Sequence, residues 1–157
     1  MNILVTGSNG FIGKNLKLFL LEKKFNVLEF KRGDSFIKLE KLIEKSDLIF
    51  HLAGENRPKK KILFKTNNIE LTNKIFEIIE NKNRKIKIIF TSTIKVHQKN
   101  SYSRSKLKCE KILIQLKKKI NNEIKILRLP NVYGKWSKPN YNSVVATFCY
   151  NVSRNLK

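Results

Sequence analysis

Residues 1–13 read Met-Asn-Ile-Leu-Val-Thr-Gly7-Ser-Asn-Gly10-Phe-Ile-Gly13. The apolar run Ile3-Leu4-Val5 has the character of a strand buried on both faces of a parallel sheet. Three glycines follow at three-residue spacing. Beyond them Phe11, Ile12, Leu16, Phe19 and Leu20 recur with helical period, which predicts an amphipathic helix over 11–23. A strand, a glycine turn and a helix N-terminus together form a cradle for a diphosphate, because backbone N–H groups and the helix dipole point at the anion. The glycines divide the labour. Gly7 allows the tight turn, Gly10 lets the backbone approach a pyrophosphate, and Gly13 lets the helix pack on the strand. A glycine triplet in a loop does not identify a site. Its placement directly after the first strand is what carries weight.

Outward from this unit, strands and helices alternate. Val27–Phe30 reads as a second strand, and Ser35 as the cap of a helix through Lys45. Asp47–Leu52 reads as a third strand, and 68–81 has helical spacing at Ile69, Thr72, Ile75, Phe76 and Ile79. Lys87–Ser92 is a fourth strand. Tyr102–Lys119 is a long helix with Leu107, Ile112, Leu113 and Leu116 inward. Ile124–Leu129 is a fifth strand, stopped by Pro130. Asn142 or Ser143 starts a last helix over Val144–Val152. This alternation predicts an α/β fold, a doubly wound parallel sheet with right-handed crossovers.

At 157 residues with 41% apolar content the chain can bury one substantial core. No run of uncharged apolar residues is long enough to span a membrane, and no cleavable leader precedes the first strand. Cys109 and Cys149 are far apart and lack metal-site spacing, so neither a disulfide framework nor a metal site is expected. A reduced, cytoplasmic protein follows. The net charge of +22 raises a nucleic-acid partner. The lysines, however, are spread along the whole chain beside many Ile and Asn, with little Arg. That is a bias of composition, not a patch, so no nucleic-acid partner is expected.

Two clusters carry chemistry. Phe30-Lys31-Arg32-Gly33-Asp34 ends the second strand, where a dinucleotide fold meets the adenosine ribose. Lys31 and Arg32 there favour the 2′-phosphate of NADP(H), while Asp34 keeps NAD(H) open. Thr91-Ser92-Thr93 ends the fourth strand, and Tyr102 and Lys106, four apart, share a helix face. A nearby ammonium is expected to lower the phenol pKa and make Tyr102 a proton donor and acceptor near neutral pH. A Thr93 hydroxyl can hydrogen-bond a substrate carbonyl. His51, inside an apolar strand, reads as a satisfied core histidine.

Taken in order, Gly7-x-x-Gly10-x-x-Gly13, His51-Leu-Ala-Gly54, Asn68 opening a helix, Thr91-Ser-Thr93, Tyr102-x-x-x-Lys106 and Arg128-Leu-Pro-Asn-Val-Tyr-Gly134 resemble the extended short-chain dehydrogenase/reductase family, which includes the nucleotide-sugar epimerases and dehydratases. Arg128–Trp136, Pro139–Phe148, His51–Pro58, the nine-residue step from Thr93 to Tyr102 and the compact link between second and third strands look like the capsular-polysaccharide UDP-2-acetamido-2,6-dideoxy-hexulose reductases. Ser137-Lys138 departs from the Cys-Arg usual in that subfamily.

The resemblance implies a Rossmann-type domain over 1–134 and the start of a substrate-binding region over 135–157, truncated before that subdomain is complete. In the subfamily the chain continues into a cupin domain, whereas here it reaches Lys157 in what reads as mid-helix. The implied activity is NADP(H)-dependent reduction of the 4-keto group of a UDP-sugar. Thr93, Tyr102 and Lys106 would be catalytic. Gly7, Asn9, Gly10, Phe11, Ile12, Gly13, Arg32, Leu52, Ala53, Gly54, Asn68, Tyr102, Lys106 and Pro130 would bind cofactor. Thr93, Asn131, Asn140, Asn142 and Ser143 would face the UDP-sugar, with no metal. The complete enzyme would be a homodimer, and a separately encoded C-terminal half is a further expected partner. The alternatives are a non-catalytic cofactor-binding remnant, half of a split enzyme, or an epimerase or dehydratase. A dehydratase should carry acidic groups just after Thr93, where Ile94 and Lys95 stand. An exposed sheet edge and uncovered apolar surface are expected.

Overall fold

A computed structural model of the chain describes residues 1–156. Five strands form one sheet: β1 (Asn2–Thr6), β2 (Asn26–Phe30), β3 (Leu48–His51), β4 (Lys87–Thr93) and β5 (Ile124–Leu129). Their order is β2-β1-β3-β4-β5 and every pairing is parallel. The helices are α1 (Phe11–Glu22), α2 (Phe36–Lys45), α3 (Leu71–Asn81), α4 (Ser101–Ile120) and α5 (Val144–Val152). A π-helical turn, Lys65–Glu70, runs directly into α3, and with Leu63 and Phe64 already helical the segment starts five residues before Asn68.

Alternation along the strands sorts the two cores. Leu4, Ile49, Ile88 and Phe90 point to one face and pack with Leu39 and Ile43 of α2, Ile75, Ile78 and Ile79 of α3, and Leu113 and Leu116 of α4. Ile3 and Val5 point to the other face, where Leu20 of α1 covers them with half-buried Leu16. Among the described residues no second helix joins that smaller core. Phe19, expected on the inward face of α1, therefore lies at its uncovered flank and is 54% exposed.

The caps follow the sequence. The Ser35 hydroxyl accepts from Lys38 N, the Asn100 side chain accepts from Ser103 N at 2.8 Å, and Ser143 accepts from Ala146 N. Ser143, not Asn142, is thus the start signal of α5. That helix ends at Val152 with Ser153 as its cap and Asn155 in the left-handed region at φ 52°, so the approach to Lys157 is not mid-helix. No residue of α5 is buried. Among the described residues β5, at the sheet's edge, pairs only with β4, and Leu127 is exposed. Among the described residues no helix is long and apolar enough to cross a membrane.

Candidate functional site

Because all five strands are parallel, their C-terminal ends lie along one edge. Gly7 follows β1, Arg32 follows β2, Gly54 follows β3, Thr93 ends β4 and Pro130 follows β5. Strand order reverses between β1 and β3, the switch point at which open α/β sheets bind ligands. A cleft of about 1140 Å³ opens there.

The glycine cradle forms its floor. Gly7 has φ +71°, and a Cβ on it would lie 2.8 Å from Ala53 Cα. A Cβ on Gly13 would lie 2.2 Å from the Gly7 carbonyl oxygen. Gly10 differs: its Cβ would meet only that carbonyl, at 3.1 Å, and otherwise points into the cleft. Gly10 is also the N-cap of α1, with no side chain capping the helix. The first-turn N–H groups are left for a ligand, and an anion there gains from the dipole. These features fit a dinucleotide diphosphate.

Asn9, Phe11, Ile12, Arg32, Leu52, Thr93, Tyr102, Lys106, Pro130, Asn131, Asn140, Asn142 and Ser143 all line the same cleft. Two of the residues selected from sequence do not. Ala53 packs against Gly7 and the larger core. Asn68 is buried beneath Gly54, where its Oδ1 accepts from Glu55 N at 2.7 Å and its Nδ2 donates to Ser105 Oγ at 2.9 Å. Ser105 Oγ in turn donates to the Tyr102 carbonyl. Asn68 thus positions the loop after β3 against the first turn of α4, and it does so from a π-helical turn, a feature frequent at functional sites.

Lys106 is 5% exposed. Its Nζ donates to the Thr91 carbonyl at 2.9 Å and lies 4.7 Å from the centre of the Phe90 ring. Gly54 leaves it room, since a Cβ there would stand 3.1 Å from Nζ. Burial lowers the Lys106 pKa to about 8. Tyr102 runs against expectation: burial raises its pKa, and no charge from Lys106 offsets it. Here the ammonium is taken up by Thr91 and Phe90. The phenol is therefore protonated at neutral pH, the form that donates a proton. Thr93 Oγ1 accepts from Lys95 N at 3.2 Å, which leaves its hydroxyl proton for another acceptor.

His51 is a satisfied core residue. Thr72 Oγ1 donates to the Asn68 carbonyl, so it accepts from His51 Nε2, and His51 Nδ1 accepts from Thr6 Oγ1 at 2.8 Å. Burial, with some help from the Lys106 charge, lowers its pKa to about 3. Below the site, Arg128 Nη2 and Nε donate to both oxygens of buried Glu110, at 2.7 and 3.1 Å, and fasten β5 to α4. Burial would raise the Glu110 carboxyl, but Arg128 holds it below its ordinary value.

At the end of β2, Lys31 turns back to Glu29 at 3.5 Å. Asp34 accepts from Lys31 N and Lys38 Nζ within its own loop. Of that cluster only Arg32 lines the cleft. Glu55 and Arg57, which sequence reasoning did not single out as site residues, also line it, as does Tyr141 within the 140–143 stretch. Arg57 stacks 5.5 Å from the centre of the Tyr141 ring, joining the loop after β3 to the segment before α5. Glu55 immediately follows Gly54 at a strand's C-terminal end, a position that could have flagged it.

The family model described as NAD dependent epimerase/dehydratase family matches residues 3–157. The chain belongs to this family. It is 46% identical over 157 residues to a UDP-2-acetamido-2,6-beta-L-arabino-hexul-4-ose reductase of Pseudomonas aeruginosa, with 99% of this chain and 42% of that protein covered. It also resembles the capsular polysaccharide assembling protein CapF of Staphylococcus aureus, at TM-score 0.85 and 40% identity, covering all of this chain and 43% of CapF. The chain therefore spans less than half the length of these two relatives. A UDP-glucuronic acid 4-epimerase of Bacillus cereus, solved with NAD, shares the fold at TM-score 0.83 and 24% identity, covering 99% of this chain and 65% of the epimerase. The family's Rossmann-type architecture is thus the one observed.

Proposed function

We propose that this family member binds NADP(H) and reduces the 4-keto group of a UDP-2-acetamido-2,6-dideoxy-hexulose, a step in making capsule or O-antigen sugars. The observation that carries this reading is the meeting of Thr93, Tyr102 and Lys106 with the glycine cradle in one cleft. The likeness to the Pseudomonas hexulose reductase supports the substrate class. Gly7, Gly10 and Gly13 with the N-terminus of α1 would hold the diphosphate. Arg32 would meet the 2′-phosphate, which favours NADP(H) over NAD(H), since Asp34 is committed to its own loop. The bound nicotinamide supplies the hydride that reaches the carbonyl carbon.

The chain's own side chains do the rest. The Thr93 hydroxyl donates to the substrate carbonyl oxygen and orients it. Tyr102, neutral at working pH, gives its phenolic proton to that oxygen as negative charge develops there. The buried Lys106 ammonium, which lines the same cleft, would hold the cofactor ribose. Asn131, Asn140, Asn142 and Ser143 stand on the far wall to receive the nucleotide sugar. Residues 1–134 form the cofactor domain and 135–157 begin the substrate-binding region. The bare apolar face of α5 supports further polypeptide covering it.

NADPH oxidation in the presence of the 4-keto UDP-sugar tests this. Tyr102→Phe should lower turnover by about a hundredfold or more, with NADPH affinity kept. Unchanged turnover in that variant would contradict the mechanism.

A further inference from the structure

Arg32 has a protein partner in the cleft. Arg32 Nη2 donates to Glu55 Oε1. Arg32 lies two residues past β2 and Glu55 four past β3, while β1 runs between those strands. The pair therefore spans the mouth of the cradle above Gly7. Its two ends are unequal: the Arg32 side chain is 79% exposed and that of Glu55 only 11%. Glu55 is held from below. Asn67 Nδ2 donates to the same Oε1 at 2.9 Å, and both backbone groups of Glu55 bond the Asn68 amide. The cation is free to leave, and the anion is not.

We propose that Glu55 is a specificity-determining residue whose carboxylate competes with the cofactor's 2′-phosphate for Arg32. This deepens the NADP(H) reading above and rests on it. A guanidinium can rotate its fork from a carboxylate to a phosphate, and a dianionic phosphate is the stronger acceptor. NAD(H) offers only a neutral hydroxyl at that position, so Arg32 stays with Glu55 when NAD(H) binds. When the 2′-phosphate takes Arg32, the Glu55 carboxylate is left half-enclosed with Asn67 as its remaining side-chain partner among the described residues. That penalty falls on the phosphorylated cofactor alone. Glu55 thus narrows the gap between the two dinucleotides.

The test is a titration of the wild-type chain and its variants with NADPH and with NADH, read by nicotinamide fluorescence. Because the pair is solvent-facing on the Arg32 side, its effect is modest. Glu55→Gln should raise NADPH affinity about three- to fivefold and leave NADH affinity nearly unchanged. Glu55→Asp, which keeps the charge but shortens the reach, should move the NADPH/NADH ratio in the same direction. In an Arg32→Gln background neither change should alter the ratio. An unchanged ratio in both Glu55 variants of a chain that binds NADPH overturns the inference and leaves the NADP(H) reading standing. A shift that persists without Arg32 also overturns it. Failure of the folded wild type to bind either dinucleotide overturns both.

Discussion

An added Cβ on Gly13 would lie 2.2 Å from the Gly7 carbonyl oxygen, whereas Phe148 on α5 leaves 65% of its surface to solvent. Those two residues represent the two sides of the cleft. The cradle side is bounded by β1, β3 and the first turns of α1 and α4, and its side chains are fixed by close packing and by buried hydrogen bonds. On the far side, residues 131–152, two ties to the rest are described. Asn15 Nδ2 donates to the Lys135 carbonyl, and Arg57 stacks on Tyr141. The contrast separates what a cofactor requires from what a substrate requires. On the proposed function, a diphosphate cradle needs a fixed backbone, while a wall for a large nucleotide sugar has to be completed and closed.

The contrast can be broken by substitution. Gly13→Val should be the most damaging single change, destabilising the chain by more than about 4 kcal/mol, because backbone and not a flexible side chain blocks the new atoms. Thermal unfolding checks it, and a variant with near wild-type Tm would show that the cradle yields.

Acid comes next. His51 is buried neutral, so its folded pKa lies below its unfolded one. The unfolded chain then binds the extra proton between pH 6.5 and about 3, and stability is lost as pH falls through that window. By pH 4.5 the loss should reach about 2–3 kcal/mol. Stability curves from pH 7 to 4.5 should be flatter for His51→Gln. The carboxylates held low by lysine or arginine partners, Glu29, Asp34 and Glu110 among them, add a loss of the same sign that sets in as pH falls toward the ordinary carboxylate range.

Lys106 gives an effect of the same sign in an alkaline window. Its pKa is lowered by burial, so wild-type stability should rise between pH 8 and 10.5 as the folded chain sheds its proton first. Lys106→Met should stabilise the chain at pH 7 by about 1–2 kcal/mol while abolishing cofactor binding. Loss of both stability and binding would mean that the Thr91 and Phe90 contacts make Lys106 a structural residue. Phe148→Ser, on the far wall, should change stability by less than about 0.5 kcal/mol.

The same division decides what was legible in the sequence. The β1–α1 unit, all five strands and the caps at Ser35 and Ser143 were readable because local periodicity and cap chemistry fix them. Phe19 was misplaced because helical period gives a stripe, not which part of it finds a neighbour. From sequence Asn68 reads as a cofactor contact; in the structure it is the tie between Glu55 and Ser105. Its position one layer down depends on a π-helical turn that periodicity does not reveal. The Tyr102–Lys106 spacing was correct, but a shared helix face does not say where an ammonium points. Lys106 reaches Thr91, and burial alone then raises the phenol. The Arg32–Glu55 bridge joins residues 23 apart, a tertiary fact with no local signature.

Calorimetric titration of the 157-residue chain with NADPH, followed by amide hydrogen exchange of the saturated protein, shows whether the cradle side holds the cofactor. Binding should be saturable and one-to-one, with protection gained at residues 7–14 and around Tyr102 and Lys106 and none gained along α5. A folded chain that shows no saturable binding, or one whose protection appears only at residues 144–152, would contradict that assignment.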